Sequence, residues 1–252
     1  MKMRRFLLSL FAALVLAAAP VQAQEALNAK QADQVRKIVK DYLMENPEVI
    51  LDAVEALREK QRLAAEAEAK RAITERKKDI FEDPTSPVSG NPKGDVVLVE
   101  FFDYNCVYCK TMHDSVMKMV KEDGKVRLIY KELPILGPAS LVAAKAALAA
   151  GKQKKYAEFQ DALMRLKGSL SETSIMKTAA DVGLDTTKLK KDMEGADVAD
   201  AIARNKELAR ALNIEGTPAF VIGETVLPGA IPEASLKQWI NDQRENKNRK
   251  KG

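Results

Sequence analysis

Val96-Val97-Leu98-Val99-Glu100-Phe101-Phe102-Asp103-Tyr104-Asn105-Cys106-Val107-Tyr108-Cys109 is the stretch that decides the fold. Residues 96–102 form an almost continuous apolar run, the pattern of a strand buried on both faces. Asp103-Tyr104-Asn105 turns the chain, and Met112, Val116, Met119 and Val120 then recur at helical spacing. Cys106 and Cys109 therefore stand at the head of a helix that follows a central strand. They are the only cysteines in the 252 residues. A bridge across two intervening residues closes almost no loop and adds little stability, so the pair reads as a redox tool.

Downstream, Val126 to Tyr130 is the next strand. Helical patterns run from Ala139 to Leu212, with breaks expected at Gly151, Gly168, Gly183 and Gly195. A hairpin of Ala219-Phe220-Val221-Ile222 and Thr225-Val226-Leu227 around Gly223-Glu224 leads into a last helix ending near Trp239. The order is β-α-β, a helical insertion over about 138–196, then β-β-α, which gives an α/β domain over 96–241.

Upstream, Lys2, Arg4 and Arg5 precede an apolar run from Phe6 to Ala19, and Val21-Gln22-Ala23 offers a cleavage site, so 1–23 reads as a secretory signal peptide. The run is short of the roughly 20 residues that a membrane span needs. Residues 32–80 are rich in Ala, Glu, Lys and Arg and free of glycine, a helical composition, and 24–83 are expected to be a helical oligomerisation segment with a linker helix, the other reading being that its helices fold back onto the α/β domain of the same chain. Val35, Ile38, Val39, Tyr42 and Leu43 make one apolar face, Asn46-Pro47 interrupts it, and Val49, Ile50, Ala53, Val54 and Leu57 make another. Gln61 to Lys78 reads as an exposed charged rod. The Pro- and Gly-rich residues 84–95 read as a hinge, and 242–252 as a solvated basic tail.

The chain carries 41 basic and 36 acidic residues. Removing the signal's three basic residues leaves 38 against 36, a net charge of +2 for the mature chain. That near-neutrality argues against nucleic-acid binding, which needs a basic face.

The strand-CxxC-helix order, the inserted helices and Gly216-Thr217-Pro218 before the final hairpin resemble thioredoxin-fold proteins of the DsbA family. Tyr42-Leu43-Met44-Glu45-Asn46-Pro47-Glu48-Val49-Ile50, the alanine-rich rod and Phe101-Phe102-Asp103-Tyr104-Asn105-Cys106 are similar to its oligomeric members of the suppressor-of-copper-sensitivity protein C and Com1 types. The resemblance implies a thiol–disulfide oxidoreductase with a thioredoxin fold, an inserted helical domain and an N-terminal oligomerisation stalk. It also implies a cis proline at Pro218 beside the cysteines and an acidic residue at the position of Glu100.

The chemistry follows from the positions. Cys106 at a helix N-terminus would face unpaired N–H groups and the positive end of the dipole, both of which favour a thiolate, and is the attacking sulfur. Cys109, one turn deeper, would be the resolving thiol. Glu100 interrupts the strand, where burial would raise its pKa and let it exchange protons with Cys109 by way of water; the other reading is an edge-exposed glutamate. Thr217 and Pro218, with Val107 and Tyr108 between the cysteines, are the expected substrate-contacting and redox-tuning residues. His113, four residues after Cys109 on the same helix face, has an ordinary surface or interface role or tunes the thiol, and is not expected to be catalytic.

No cofactor and no metal are expected. The expected partners are cysteine-containing exported proteins, a membrane redox partner that recycles the pair, and further copies of the chain in a dimer or trimer. The expected location is the periplasm, with outer-membrane or surface association open. Isomerase activity is favoured, on Tyr108, Thr217 and the oligomer. The alternatives are a dithiol oxidase recharged by a quinone-linked membrane partner, or a copper-handling or surface-displayed binding protein whose cysteines hold metal. The last lacks a second ligand pair, and His113 is the only histidine.

Overall fold

A computed structural model describes residues 28–249. The signal segment 1–23 and the last residues of the basic tail lie outside the described residues. The chain divides between Leu57 and Arg58 into two compact units.

The first unit holds α1 (Ala29–Glu45) and residues 48–57 of α2 (Glu48–Glu75). Asn28 caps α1: its side chain accepts from Gln31 N–H while the Gln31 side chain accepts from Asn28 N–H, both at 3.0 Å. The chain breaks at Asn46-Pro47, where the proline disfavours helical geometry in the residue before it. Both apolar stripes face solvent, with Ile38 66% exposed, Tyr42 54% and Leu57 54%.

In the second unit α2 continues to Glu75 and α3 (Lys77–Phe81) follows. The expected exposed rod is not free along its length. Ile73 and Ile80 are buried among Val99, Phe101, Ile129, Leu208 and Leu212. Each such side chain removed from water contributes about 1.5–3 kcal/mol, which outweighs the charged character of the surrounding helix.

The expected hinge 84–95 is also more than a linker, since it contains β1 (Val88–Gly90). The remaining elements are β2 (Val96–Phe102), α4 (Val107–Asp123), β3 (Val126–Glu132), α5 (Pro138–Gly151), α6 (Tyr156–Met164), α7 (Glu172–Asp181), α8 (Thr186–Met193), α9 (Ala196–Ala211), β4 (Ala219–Ile222), β5 (Thr225–Pro228) and α10 (Glu233–Arg249). The sheet order is β1-β3-β2-β4-β5, with β2 and β3 parallel and every other pair antiparallel. Parallel neighbours need a crossover, and α4 supplies it. Gly124, in the left-handed region at φ 65°, ends that helix.

Alternation along the strands separates two apolar layers. Val96, Leu98, Phe102, Leu128, Tyr130, Phe220 and Ile222 pack with residues of α4, α10 and the inserted helices. Val99, Phe101, Ile129 and Val221 face α2, α3 and α9. In α5 the small side chains of Ala143, Ala144, Ala146, Ala147, Ala149 and Ala150 are buried, which lets α6, α7, α8 and α9 pack closely around it.

Lys131 is buried on the second face, and its Nζ donates to Asp79 O at 2.7 Å, Ser86 Oγ at 2.7 Å and Asp83 Oδ2 at 3.2 Å. Burial opposes the ionisation of Asp83, but bonds from Thr85 and Ser86 and the Lys131 charge hold its carboxyl at about 2. These contacts fix the chain on either side of Pro84. The basic tail differs too. α10 continues to Arg249, and Arg244 binds Asp95 at 3.0 Å and Asp123 at 2.6 Å, so this part of the tail is bonded to the domain because two acids meet it.

Candidate functional site

β2 ends at Phe102, and Asp103 turns the chain toward α4. The Asp103 carboxylate is buried and accepts three backbone N–H groups: Asn105 at 2.7 Å, Ile135 at 2.8 Å and Leu136 at 2.9 Å. One side chain thus joins the loop before the cysteines to the loop after β3. Cys106 is the N-cap of α4, in extended geometry, and its sulfur accepts from Cys109 N–H at 3.5 Å. Both cysteines are free thiols. Cys106 is 5% exposed and Cys109 is fully buried, while Val107 and Tyr108 between them are 72% and 66% exposed.

The Thr217–Pro218 peptide bond is cis, as the resemblance implies. Cys106 Sγ donates to Thr217 O at 3.1 Å, across 111 residues of sequence, which brings the proline loop against the helix N-terminus. Pro218 O accepts from Gly229 N–H at 2.8 Å. The Thr217 hydroxyl is buried with no hydrogen-bond partner.

Glu100 lies in the middle of the sheet, paired with Tyr130 of β3 and Phe220 of β4. It is 4% exposed, so the edge-exposed reading fails: β2 is an interior strand. Burial pushes its carboxyl up to about 8. Burial likewise pushes the Cys109 thiol far up, and the charges of Glu100 and Cys106 add to that. Cys109 is therefore a thiol that cannot attack until a base takes its proton, and Glu100 is an acid whose ionisation falls in the range a base needs.

His113, expected at a surface or interface, is instead buried between α4 and α6, with Nε2 2.8 Å from Asp161 Oδ1. Among the described residues no three or more His, Cys, Asp or Glu side chains converge in a way that could hold a metal ion.

Two further polar groups escaped the sequence reading. Asp103 looked like an ordinary turn residue. Glu132 closes β3 two residues beyond its expected end and is 1% exposed. Its Oε1 accepts from the hydroxyls of Tyr104 and Tyr156, each at 2.8 Å. The only signal was the pair Lys131-Glu132, which continues the strand's alternation and sends one charge to each face.

Residues 82–242 match a thioredoxin family model, and 31–64 match the copper resistance protein ScsC N-terminal domain. A thioredoxin-like oxidoreductase from Silicibacter pomeroyi DSS-3 is 45% identical, over 67% of this chain and 97% of that one, with a TM-score of 0.66. A linker-deletion variant of Proteus mirabilis ScsC is 32% identical over 89% of this chain and all of that one, with a TM-score of 0.67. Among curated relatives, the probable disulfide bond formation protein D of Bacillus cereus is 26% identical over 57% of this chain and 73% of that protein. The Na(+)/H(+) antiporter NhaA 1 of Salinispora arenicola is 28% identical over 137 residues, and the chain spans only 21% of that relative's length. No helix among the described residues is long and apolar enough to cross a membrane. With a thioredoxin match over 161 of its residues and an ScsC-type segment before it, the chain belongs to the thioredoxin family, among the ScsC- and DsbA-like thiol–disulfide oxidoreductases.

Proposed function

We propose that this protein exchanges disulfides in exported cysteine-containing proteins, through Cys106 as attacking sulfur and Cys109 as resolving thiol. The observation that carries the reading is the position of Cys106, at the N-cap of α4 and 3.1 Å from the carbonyl before a cis proline. The N–H groups of the first helical turn and the dipole favour the thiolate there. The thiol's bond to Thr217 O requires its proton, so ionisation also frees that carbonyl for an incoming N–H.

In the forward step the Cys106 thiolate attacks a substrate disulfide. A Cys106–substrate bond forms, the substrate S–S bond breaks, and one substrate sulfur leaves as thiolate. Glu100 then accepts the Cys109 proton. The Cys109 thiolate attacks Cys106, the second substrate sulfur departs, and the enzyme is left as a disulfide with the substrate reduced by two electrons. Run in reverse, the same steps donate a disulfide, and reshuffling results when a substrate thiol displaces Cys106 before Cys109 acts. Val107, Tyr108, Thr217 and Pro218 form the surface that the substrate meets.

Isomerase activity is the favoured balance. Its support is the pair of exposed apolar stripes on α1 and α2, which suit self-association into a dimer or trimer holding several catalytic sites. The protein works in the periplasm, where a membrane redox partner recycles the pair. Scrambled-ribonuclease refolding, insulin reduction and metal titration of the full chain test this together. Reactivation of scrambled ribonuclease supports isomerisation. Tight metal binding without disulfide turnover contradicts the entire reading.

A further inference from the structure

We propose that Glu132 is a second ionisable carboxylate of the redox site, a positioning residue whose charge sets how readily Glu100 takes the proton of Cys109. This rests on the reading of Cys109 and Glu100 given above.

The placement follows from strand register. In parallel β2 and β3, Glu100 pairs with Tyr130 and Phe102 with Glu132, so all four side chains share the sheet face that Cys109 also packs on. Glu100 and Glu132 are thus diagonal neighbours on adjacent strands, roughly 7 Å apart by the usual spacing. Nothing in packing calls for an acid at Glu132. Its Oε1 takes both tyrosine hydroxyls, and its Oε2 is buried with no partner at all. A glutamine fills the same space and keeps an oxygen for the two tyrosines, so the hydrogen bonds call for an acceptor there and not for an ionisable group.

Tyr104 lies two residues before Cys106, and Tyr156 comes from the inserted α6, so Glu132 also joins the cysteine loop to the helical insertion. Burial pushes Glu132 up to about 8, the tyrosine bonds oppose this, and the Asp103 and Glu100 charges add to it. Glu100 and Glu132 therefore titrate in the same range and against each other.

The other groups facing the pair do not replace this coupling. From α4 and α6 come His113 and Asp161, bonded to each other. Tyr130, from β3, is pushed up by burial and by Glu100. Lys131 points to the opposite face, toward Asp79, Asp83 and Ser86. α10 turns Leu236 and Ile240 inward and buries no charged side chain.

The expected consequence is a resolving step that rises with pH in two overlapping stages. Glu132→Gln keeps the shape and an oxygen for the tyrosines but cannot ionise. In this full-length variant the pH profile of Cys109 attack on a Cys106–peptide mixed disulfide should become a one-proton curve. Its midpoint should lie about 1 pH unit to the acid side, because one repelling charge is gone. An unchanged profile in a folded variant overturns the proposal.

Infrared titration reads the groups without turnover, so it separates this proposal from failure of disulfide exchange. The reduced full-length protein should lose two buried carboxylic-acid bands between roughly pH 6 and pH 10, in two stages, and Glu100→Gln should keep one of them. Should Glu132→Gln fail to fold, that single band in Glu100→Gln reports Glu132 alone. Its absence above pH 6 overturns the proposal.

Discussion

Replacing Glu100 by glutamine separates the two consequences of burying an acid in β2. The carboxyl titrates at about 8 in the fold, against about 4.3 in an unfolded chain. Below the unfolded value both states hold the proton and the acid is neutral to stability. Between the two values only the unfolded chain ionises, so stability falls as pH rises, and the loss is complete above about 8. Glu100→Gln should therefore stabilise the protein by up to about 5 kcal/mol at pH 9 and by almost nothing at pH 4. Urea unfolding at the two pH values checks this, and an equal gain at both would contradict it. The same variant should slow the resolving step by about 100-fold at neutral pH, as loss of a general base does.

At the scale of elements, the Lys131 contacts make the clearest prediction. Asp83→Ala leaves a buried ammonium bonded only to a hydroxyl and a carbonyl, and should cost about 2–3 kcal/mol at neutral pH. The Asp83 carboxyl is held at about 2, below its usual value. Its contribution is present above pH ~4 and is lost as pH falls toward 2, so wild type and variant should converge in acid. Urea unfolding at pH 7 and pH 3 reads the difference. β2, α4 and the closing hairpin were legible in the sequence, because an interior strand is apolar throughout and a helix shows its period. The cysteine pair was legible because it stands where an apolar strand gives way to a helical period, whereas Thr217–Pro218 was legible only through the resemblance to DsbA-family proteins. β1 was not: three residues inside a run of prolines and glycines carry no pattern, and only pairing with β3 makes them a strand. The ends of β3 and α2 were hidden by charge. Lys131 and Glu132 look like solvated residues until their buried partners, distant in sequence, are known, and Ile73 and Ile80 are isolated apolar residues in a charged helical stretch.

For the whole molecule, the boundary between the two units sets where truncation is tolerated. A chain starting at Arg58 retains Ile73 and Ile80 and should fold, exchange disulfides and sediment as a monomer. One starting after Ile80 loses both side chains and about 3–6 kcal/mol of burial, and should unfold at lower urea. Ile38→Glu with Ile50→Glu in the full chain should likewise sediment as a monomer, keep insulin reduction and lose most ribonuclease reshuffling; full-length wild type sedimenting as a monomer would contradict the role given to the stripes. The claim underneath all of this is that Cys106 captures substrate and Cys109 releases it. Peptide mapping by mass spectrometry of the full-length Cys109→Ser protein, after incubation with a disulfide-bonded polypeptide, tests it most directly. The account predicts one stable mixed disulfide per chain, on Cys106, which wild type resolves; a Cys106 left unmodified while the substrate disulfide stays intact would contradict it.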